Sequence, residues 1–106
     1  MYEITMKAVH KWVEQIQGIN ASEIIIDVEK DDIDCFHVFI ETTNSISELS
    51  VSKPFFAPCR WVSFVVMDIR ERVDSLPVFS YYDKESDTVE NIIAQLNAGI
   101  AIAISL

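Results

Sequence analysis

Two neighbouring stretches decide the fold class of this 106-residue chain: residues 23–29, EIIIDVE, and residues 35–41, CFHVFIE. Both are rich in β-branched and aromatic side chains and are bounded by polar residues, which is typical of β-strands. An antiparallel register that places Val28 opposite Phe36 and Ile26 opposite Val38 makes one face wholly apolar. The two stretches therefore predict a β-hairpin with a short loop near residues 31–33.

Helical spacing of apolar residues predicts an amphipathic helix at each end of the chain. The first covers residues 2–17, and Gly18 is expected to end it in the left-handed conformation. The second follows Asp87 and Glu90, which have the spacing of a capping box, and is expected to end at Gly99. Residues 100–106 alternate large and small side chains, so a terminal strand competes with a continued helix, and we favour the strand.

Three further stretches complete the predicted sheet. Residues 46–51 are weakly apolar and suit an edge strand, whereas residues 61–69 are apolar at both parities, which indicates a central strand covered on both faces. Residues 78–82 are expected to form a strand that pairs antiparallel with residues 61–69. The sequence thus predicts an α+β fold in a single domain, residues 1–106. It has an N-terminal helix, a largely antiparallel sheet of about five strands, and a second helix near the C-terminus on the same sheet face.

Two helices are too narrow to cover both faces of such a sheet. Five strands about 4.8 Å apart span roughly 24 Å, and two helices about 10 Å apart cover some 20 Å of one face. An exposed second face with an apolar centre and an acidic margin has the composition of a protein-binding surface or a homodimer interface. We expect its apolar residues to include Ile25, Phe39, Val62, Phe64 and Val66.

The charge balance constrains the partners. There are 17 acidic and 8 basic side chains, a net charge of −9, which disfavours binding to nucleic acid and favours a basic protein. No apolar run is as long as a membrane span, and the N-terminal residues lack the features of a signal peptide, so we expect a cytoplasmic protein without a membrane partner. Cys35 and Cys59 lack CxxC spacing and are interpreted as buried thiols, with a disulfide left open.

No motif in the sequence points to catalysis. Residues 27–34 hold five carboxylates but lack the glycine and the twelfth-position glutamate of a calcium loop, so they form either a solvated turn or a recognition patch. The predicted register places His37 opposite Asp27 and near Cys35. A histidine satisfied by a carboxylate is favoured there over a catalytic group. We therefore expect no enzyme, no catalytic residues, no cofactor and no metal.

These expectations favour a small acidic binding protein that neutralises a basic partner, such as an immunity protein (antitoxin) for a nuclease-type bacterial toxin or a similar inhibitor. The alternative is a homo-oligomeric structural or regulatory subunit without catalysis. Exposed carboxylates and aromatic side chains are the expected binding residues. They are Glu23, Asp27, Glu29, Asp31, Asp32, Asp34, Phe39, Glu41, Phe55, Phe56, Tyr81 and Tyr82.

Overall fold

Two long helices flank five strands along the chain. The computed structural model describes residues 1–19, 22–53, 59–70 and 76–106. Phe55 and Phe56 lie outside the described residues. The elements in chain order are α1 Tyr2–Ile19, β1 Ile25–Asp31, β2 Cys35–Glu41, β3 Ser45–Ser52, β4 Val62–Asp68, β5 Phe79–Tyr82 and α2 Val89–Ser105.

The five strands of the described chain form one antiparallel sheet, in the order β1-β2-β3-β4-β5. Both helices lie on one face of it. The Trp12 indole of α1 donates a hydrogen bond to Asn97 Oδ1 of α2 at 2.8 Å, and its ring meets Phe64 of β4 edge-on at 5.9 Å. The predicted α+β architecture, with two helices on the same sheet face, is confirmed.

The core lies between the helices and the sheet. Alternate residues of β2, β3 and β4 point into it because successive side chains of a strand face opposite sides. Apolar side chains from one stripe of each helix meet them there. The fully buried residues include Val9, Val38, Ile40, Leu49, Val51, Val62, Phe64, Val66, Leu96 and Ala103, each with no exposed surface.

The hairpin between β1 and β2 was predicted with the correct faces but the wrong register. Val28 pairs with Val38 and Ile26 with Ile40, so the β1 residues before the bulge lie two positions from their predicted partners. A bulge between Val28 and Lys30 adds one residue to β1, and such bulges are not visible in a hydrophobic pattern. The loop that connects β1 to β2 is short and spans only residues 32–34.

Two predictions about the middle of the sheet were wrong. The strand β3, expected at an edge, is the central strand. In β4, the even-numbered residues Val62, Phe64 and Val66 face the helices and are fully buried, whereas Val65 and Met67 are half-buried on the other face. The apolar residues at both odd and even positions of 61–69 thus predicted the strand correctly. They did not predict which residues face the helices.

The C-terminal segment is helical, so the predicted strand over residues 100–106 is wrong. Gly99 lies inside α2, where an added Cβ would stand 2.6 Å from Phe64 Cε2 and 2.8 Å from Phe79 Cε1. This glycine therefore permits close packing of the helix on the sheet and does not end the helix. Because the helix continues, Ile100 and Ala103 reach the core.

The predicted helix ends also need correction. Gly18 lies within α1, and neither Gly18 nor Gly99 has a positive φ. At the start of α2 the N-cap is Thr88, whose side chain accepts from the Asn91 backbone N–H, in place of the predicted Asp87. Asp87 instead stabilises the turn before the helix, where Oδ2 accepts from the Lys84 backbone N–H and the Tyr81 hydroxyl, each at 2.9 Å.

Candidate partner-binding surface

The sheet face opposite the helices has no other element packed on it within the described ranges. We call it the open face. Its members follow from the strand pairing, because directly opposite residues in an antiparallel pair share a face. They are Ile25, Asp27 and Lys30 of β1; Cys35, His37, Phe39 and Glu41 of β2; Ile46, Glu48, Ser50 and Ser52 of β3; Ser63, Val65 and Met67 of β4; and Ser80 and Tyr82 of β5.

In two adjacent rows of the open face, a carboxylate of β2 or β3 lies between apolar side chains of the neighbouring strands. The first row runs Asp27, Phe39, Glu48, Val65, and the second runs Ile25, Glu41, Ile46, Met67, each from β1 to β4. The sequence predicted an apolar centre with an acidic margin. In the structure the acidic groups are interleaved with the apolar ones, and one of them lies on the central strand.

A shallow groove of about 230 Å³ lies between these rows on β2, β3 and β4. Small-molecule sites commonly have volumes of about 300–1,000 Å³, so this groove is better suited to a single inserted side chain. Its walls are mainly apolar, with one carboxylate. The lining residues are Phe39, Ile46, Ser47, Glu48, Val65 and Met67.

Glu48 is the charged group of this groove. Its side chain is 52% exposed, and Oε2 lies 3.3 Å from His37 Nε2. The His37 ring also lies beside the Phe39 ring, with centroids 5.0 Å apart. In the β1 pairing His37 stands opposite Lys30, so the predicted His37–Asp27 pair is wrong, although a carboxylate does lie next to this histidine.

The acidic stretch 27–34 does not form one patch. Asp31 turns toward the helices, where its Oδ1 lies 2.8 Å from His10 Nε2. Asp32 Oδ1 accepts from the backbone N–H groups of Asp34 and Cys35, each at 2.9 Å. Two of the predicted binding carboxylates therefore have internal structural contacts, and Asp27 is the member of this stretch on the open face.

The remaining predicted residues are dispersed. Tyr82 is exposed on the open face, whereas Tyr81 is 9% exposed and faces the core. Burial and the hydrogen bond to Asp87 raise the pKa of Tyr81 above its ordinary value. Glu23 is exposed and lines a mainly polar cleft with Thr42 and Thr43.

Four residues of the open face line the groove but were not predicted as binding residues: Ile46, Glu48, Val65 and Met67. The β3 residues were missed because their strand was taken as an edge. Residues 65 and 67 were missed because both parities of β4 are apolar. Glu29 and Asp34 are exposed at the β1–β2 end of the sheet.

A second polar cluster lies at the β4–β5 end and is structural. Asp83 is 1% exposed, and its Oδ1 accepts from the backbone N–H groups of Trp61 and Val62, each at 2.8 Å. The Arg60 guanidinium stacks on the Trp61 ring at 3.8 Å. Burial and the nearby Asp83 carboxylate raise the pKa of the Cys59 thiol, which favours its protonated form.

Catalysis would draw on the His, Cys, Asp and Glu side chains of the described residues. No three His, Cys, Asp or Glu side chains among them converge to hold a metal ion. Cys35 and Cys59 are free thiols. His37 contacts Glu48, and Cys35 stands two residues along β2, about 7 Å away by strand geometry and beyond hydrogen-bond reach. Neither described helix is long and apolar enough to cross a bilayer.

Comparisons with protein-family models, with curated proteins and with solved structures gave no match. We therefore infer the function from the chemistry of the open face.

Proposed function

We propose that this chain is an acidic protein-binding protein that neutralises a basic partner through its open face. The observation that carries the proposal is the placement of Glu41 and Glu48 between apolar side chains at the groove. Apolar residues supply area that gains from leaving water, and the carboxylates select a cationic counterpart. Asp27, Glu41 and Glu48 provide that charge, with Phe39 between them.

The net charge of −9 supports the same conclusion. A strong charge of one sign attracts a partner of the opposite sign over distances of about 10 Å and raises its association rate. The most suitable partner is an enzyme that itself grips an anionic polymer, because its active-site cleft is cationic. An immunity protein or inhibitor directed at a nuclease-type toxin fits this description.

Charge also disfavours the alternative, a homo-oligomer formed through the open face. Among the described residues, the open face has one Lys or Arg, Lys30, against the carboxylates of Asp27, Glu41 and Glu48. Two copies packed face to face would bury these like charges without matching cations, which costs free energy. A basic partner removes that cost.

The test compares two charge-reversal variants of equal net charge. Asp27→Lys with Glu41→Lys changes the open face, and Glu14→Lys with Glu90→Lys changes exposed positions on the two helices. Each tagged variant and the wild type are incubated with extracts of the source cells at low salt. Bound proteins are eluted with increasing salt and identified, and circular dichroism confirms that each variant is folded.

We expect one basic protein that wild type and the helix variant retain and the open-face variant loses. Addition of the purified chain at one equivalent should then inhibit the activity of that protein. Equal retention by both variants would place the interface elsewhere. Recovery of untagged copies of the chain alone, with a dimeric mass in solution, would support the homo-oligomeric alternative.

A further inference from the structure

The groove of the open face has the components of a binding site for one cationic side chain. Phe39 and Glu48 are directly opposite each other on β2 and β3, where side chains approach to about 5 Å. An aromatic face and a carboxylate thus stand side by side. Val65 and Met67 of β4 continue the apolar wall beyond Glu48.

We propose that this groove binds one arginine side chain of the partner, an inference that rests on the proposed function. The guanidinium pairs with the Glu48 carboxylate and lies against the Phe39 ring. The methylene stem packs on Ile46, Val65 and Met67. The groove volume of about 230 Å³ suits one such side chain, which would act as the anchor at the centre of the interface.

Arginine fits this site better than lysine. Its planar guanidinium donates two parallel hydrogen bonds to a carboxylate and stacks on an aromatic ring, and it is more weakly hydrated than an ammonium group. Its apolar stem gains from contact with the groove walls while the charged end reaches the carboxylate. The arrangement of Arg60 over the Trp61 ring, 3.8 Å from ring centroid to guanidinium carbon, shows the same type of stacking elsewhere in this molecule.

His37 competes for the same carboxylate. Its Nε2 lies 3.3 Å from Glu48 Oε2, so a protonated imidazole places a cation where the partner's guanidinium would bind. The other titratable groups that face His37 are Lys30, opposite on β1, and Cys35, two residues along β2. Replacement of His37 by glutamine removes the imidazole from this carboxylate and should therefore strengthen arginine binding.

The experiment is an NMR titration of the isolated chain with N-acetylarginine methylamide, with the uncharged citrulline derivative and the lysine derivative as comparison probes. We expect the arginine probe to bind with a dissociation constant in the millimolar range and to shift the resonances of Phe39, Glu48, Val65 and Met67. Glu48→Gln should weaken binding about tenfold, because a charge-assisted contact is lost. Glu14→Gln, an exposed carboxylate on α1 away from the open face, is the matched control and should change it less than twofold.

Equal shifts with arginine and citrulline, or an unchanged affinity in Glu48→Gln, would overturn the proposal, and stronger binding of the lysine probe would assign the groove to lysine. Arginine binding several-fold tighter in His37→Gln than in wild type supports the competition, and an unchanged or weaker affinity refutes it. Failure of this titration leaves the capture experiment with the Asp27 and Glu41 variant unaffected. The two hypotheses can therefore fail separately.

Discussion

His10 of α1 and Asp31 of β1 are joined by a contact of 2.8 Å between Nε2 and Oδ1. The His10 ring also stacks on Phe36 with centroids 3.7 Å apart, and its Nδ1 lies 2.9 Å from the Met6 carbonyl oxygen. The first helix is thus tied to the edge strand that carries Asp27 on its other face. This tie holds one border of the open face in place.

Removal of the His10–Asp31 contact should destabilise the protein modestly. His10→Phe preserves the stacking on Phe36 but loses the hydrogen bonds. Since both side chains are partly exposed, 32% and 55%, we expect a coupling energy with Asp31→Ala of about 0.5–1 kcal/mol. Urea denaturation of both single variants and the double variant measures it. Asp34→Ala, in the adjacent turn, should show no coupling to His10→Phe, and a coupling of equal size there would contradict the assignment.

The two glycines should respond oppositely to substitution by alanine. At Gly99 the new methyl group would stand 2.6 Å from Phe64 Cε2, and Phe64 is fully buried, so Gly99→Ala should lower the free energy of unfolding by about 1–3 kcal/mol. At Gly18 nothing lies within 4 Å. Gly18→Ala should therefore raise stability by up to about 1 kcal/mol through helix propensity. Thermal or urea unfolding checks both, and a stabilised Gly99→Ala would show that α2 packs less closely on β4.

Asp87 should stabilise the protein in a pH-dependent manner. Hydrogen bonds from the Lys84 backbone N–H and the Tyr81 hydroxyl lower the pKa of Asp87 in the folded protein. Its contribution is therefore complete above the ordinary aspartate pKa of about 3.9 and is lost as the pH falls through the lower native pKa. Asp87→Asn should cost about 1–2 kcal/mol at pH 7.

Urea denaturation of the Asp87→Asn variant at pH 7 and near pH 2 measures this dependence, and the difference from wild type should shrink at the lower pH. Glu90→Gln, a nearby exposed carboxylate, is the control and should have an effect within about 0.5 kcal/mol at pH 7. A pH-independent difference between wild type and Asp87→Asn would contradict the role assigned to the charge of Asp87.

Among the carboxylates of the described residues, Asp83 should be the most sensitive to substitution by alanine. It is 1% exposed, and its Oδ1 accepts hydrogen bonds from the backbone N–H groups of Trp61 and Val62. Asp83→Ala leaves both backbone donors without this acceptor. It also removes the carboxylate that lies 3.8 Å from Arg60 Nε, so we expect a loss of about 3–5 kcal/mol. The midpoint of urea denaturation checks this value. Glu85→Ala, two residues later and exposed, should change stability by less than about 0.5 kcal/mol.

The sequence predicted the order and type of most elements because their periodicities differ clearly. It failed where a tertiary contact decides the outcome. Gly99 resembles a helix stop, but it is required by the Phe64 and Phe79 rings beneath α2. Ser45 and Ser47 make β3 look like an edge strand, yet both are buried. Ser45 Oγ lies 3.3 Å from the Ala103 carbonyl oxygen of α2, where a larger side chain would not fit.

The candidate surface was predicted in part for a similar reason. Asp27, Phe39 and Glu41 follow from the hairpin alone, because the parity of β2 was correct. Prediction of Glu48 as a surface residue required knowledge of the position of β3 in the sheet. Val65 and Met67 required knowledge of which β4 face the helices cover, and a strand that is apolar at both parities does not contain that information.

The hydrogen bond between Trp12 and Asn97 joins residues 85 positions apart, whereas the five described strands each pair with their neighbours in the chain. During synthesis the hairpins can therefore form one after another as they leave the ribosome. The first helix has to wait for α2 before its tryptophan finds this partner. Until α2 has been synthesised, the helix-facing side chains of β3, β4 and β5 that it contacts remain exposed to water, so this part of the core is completed last.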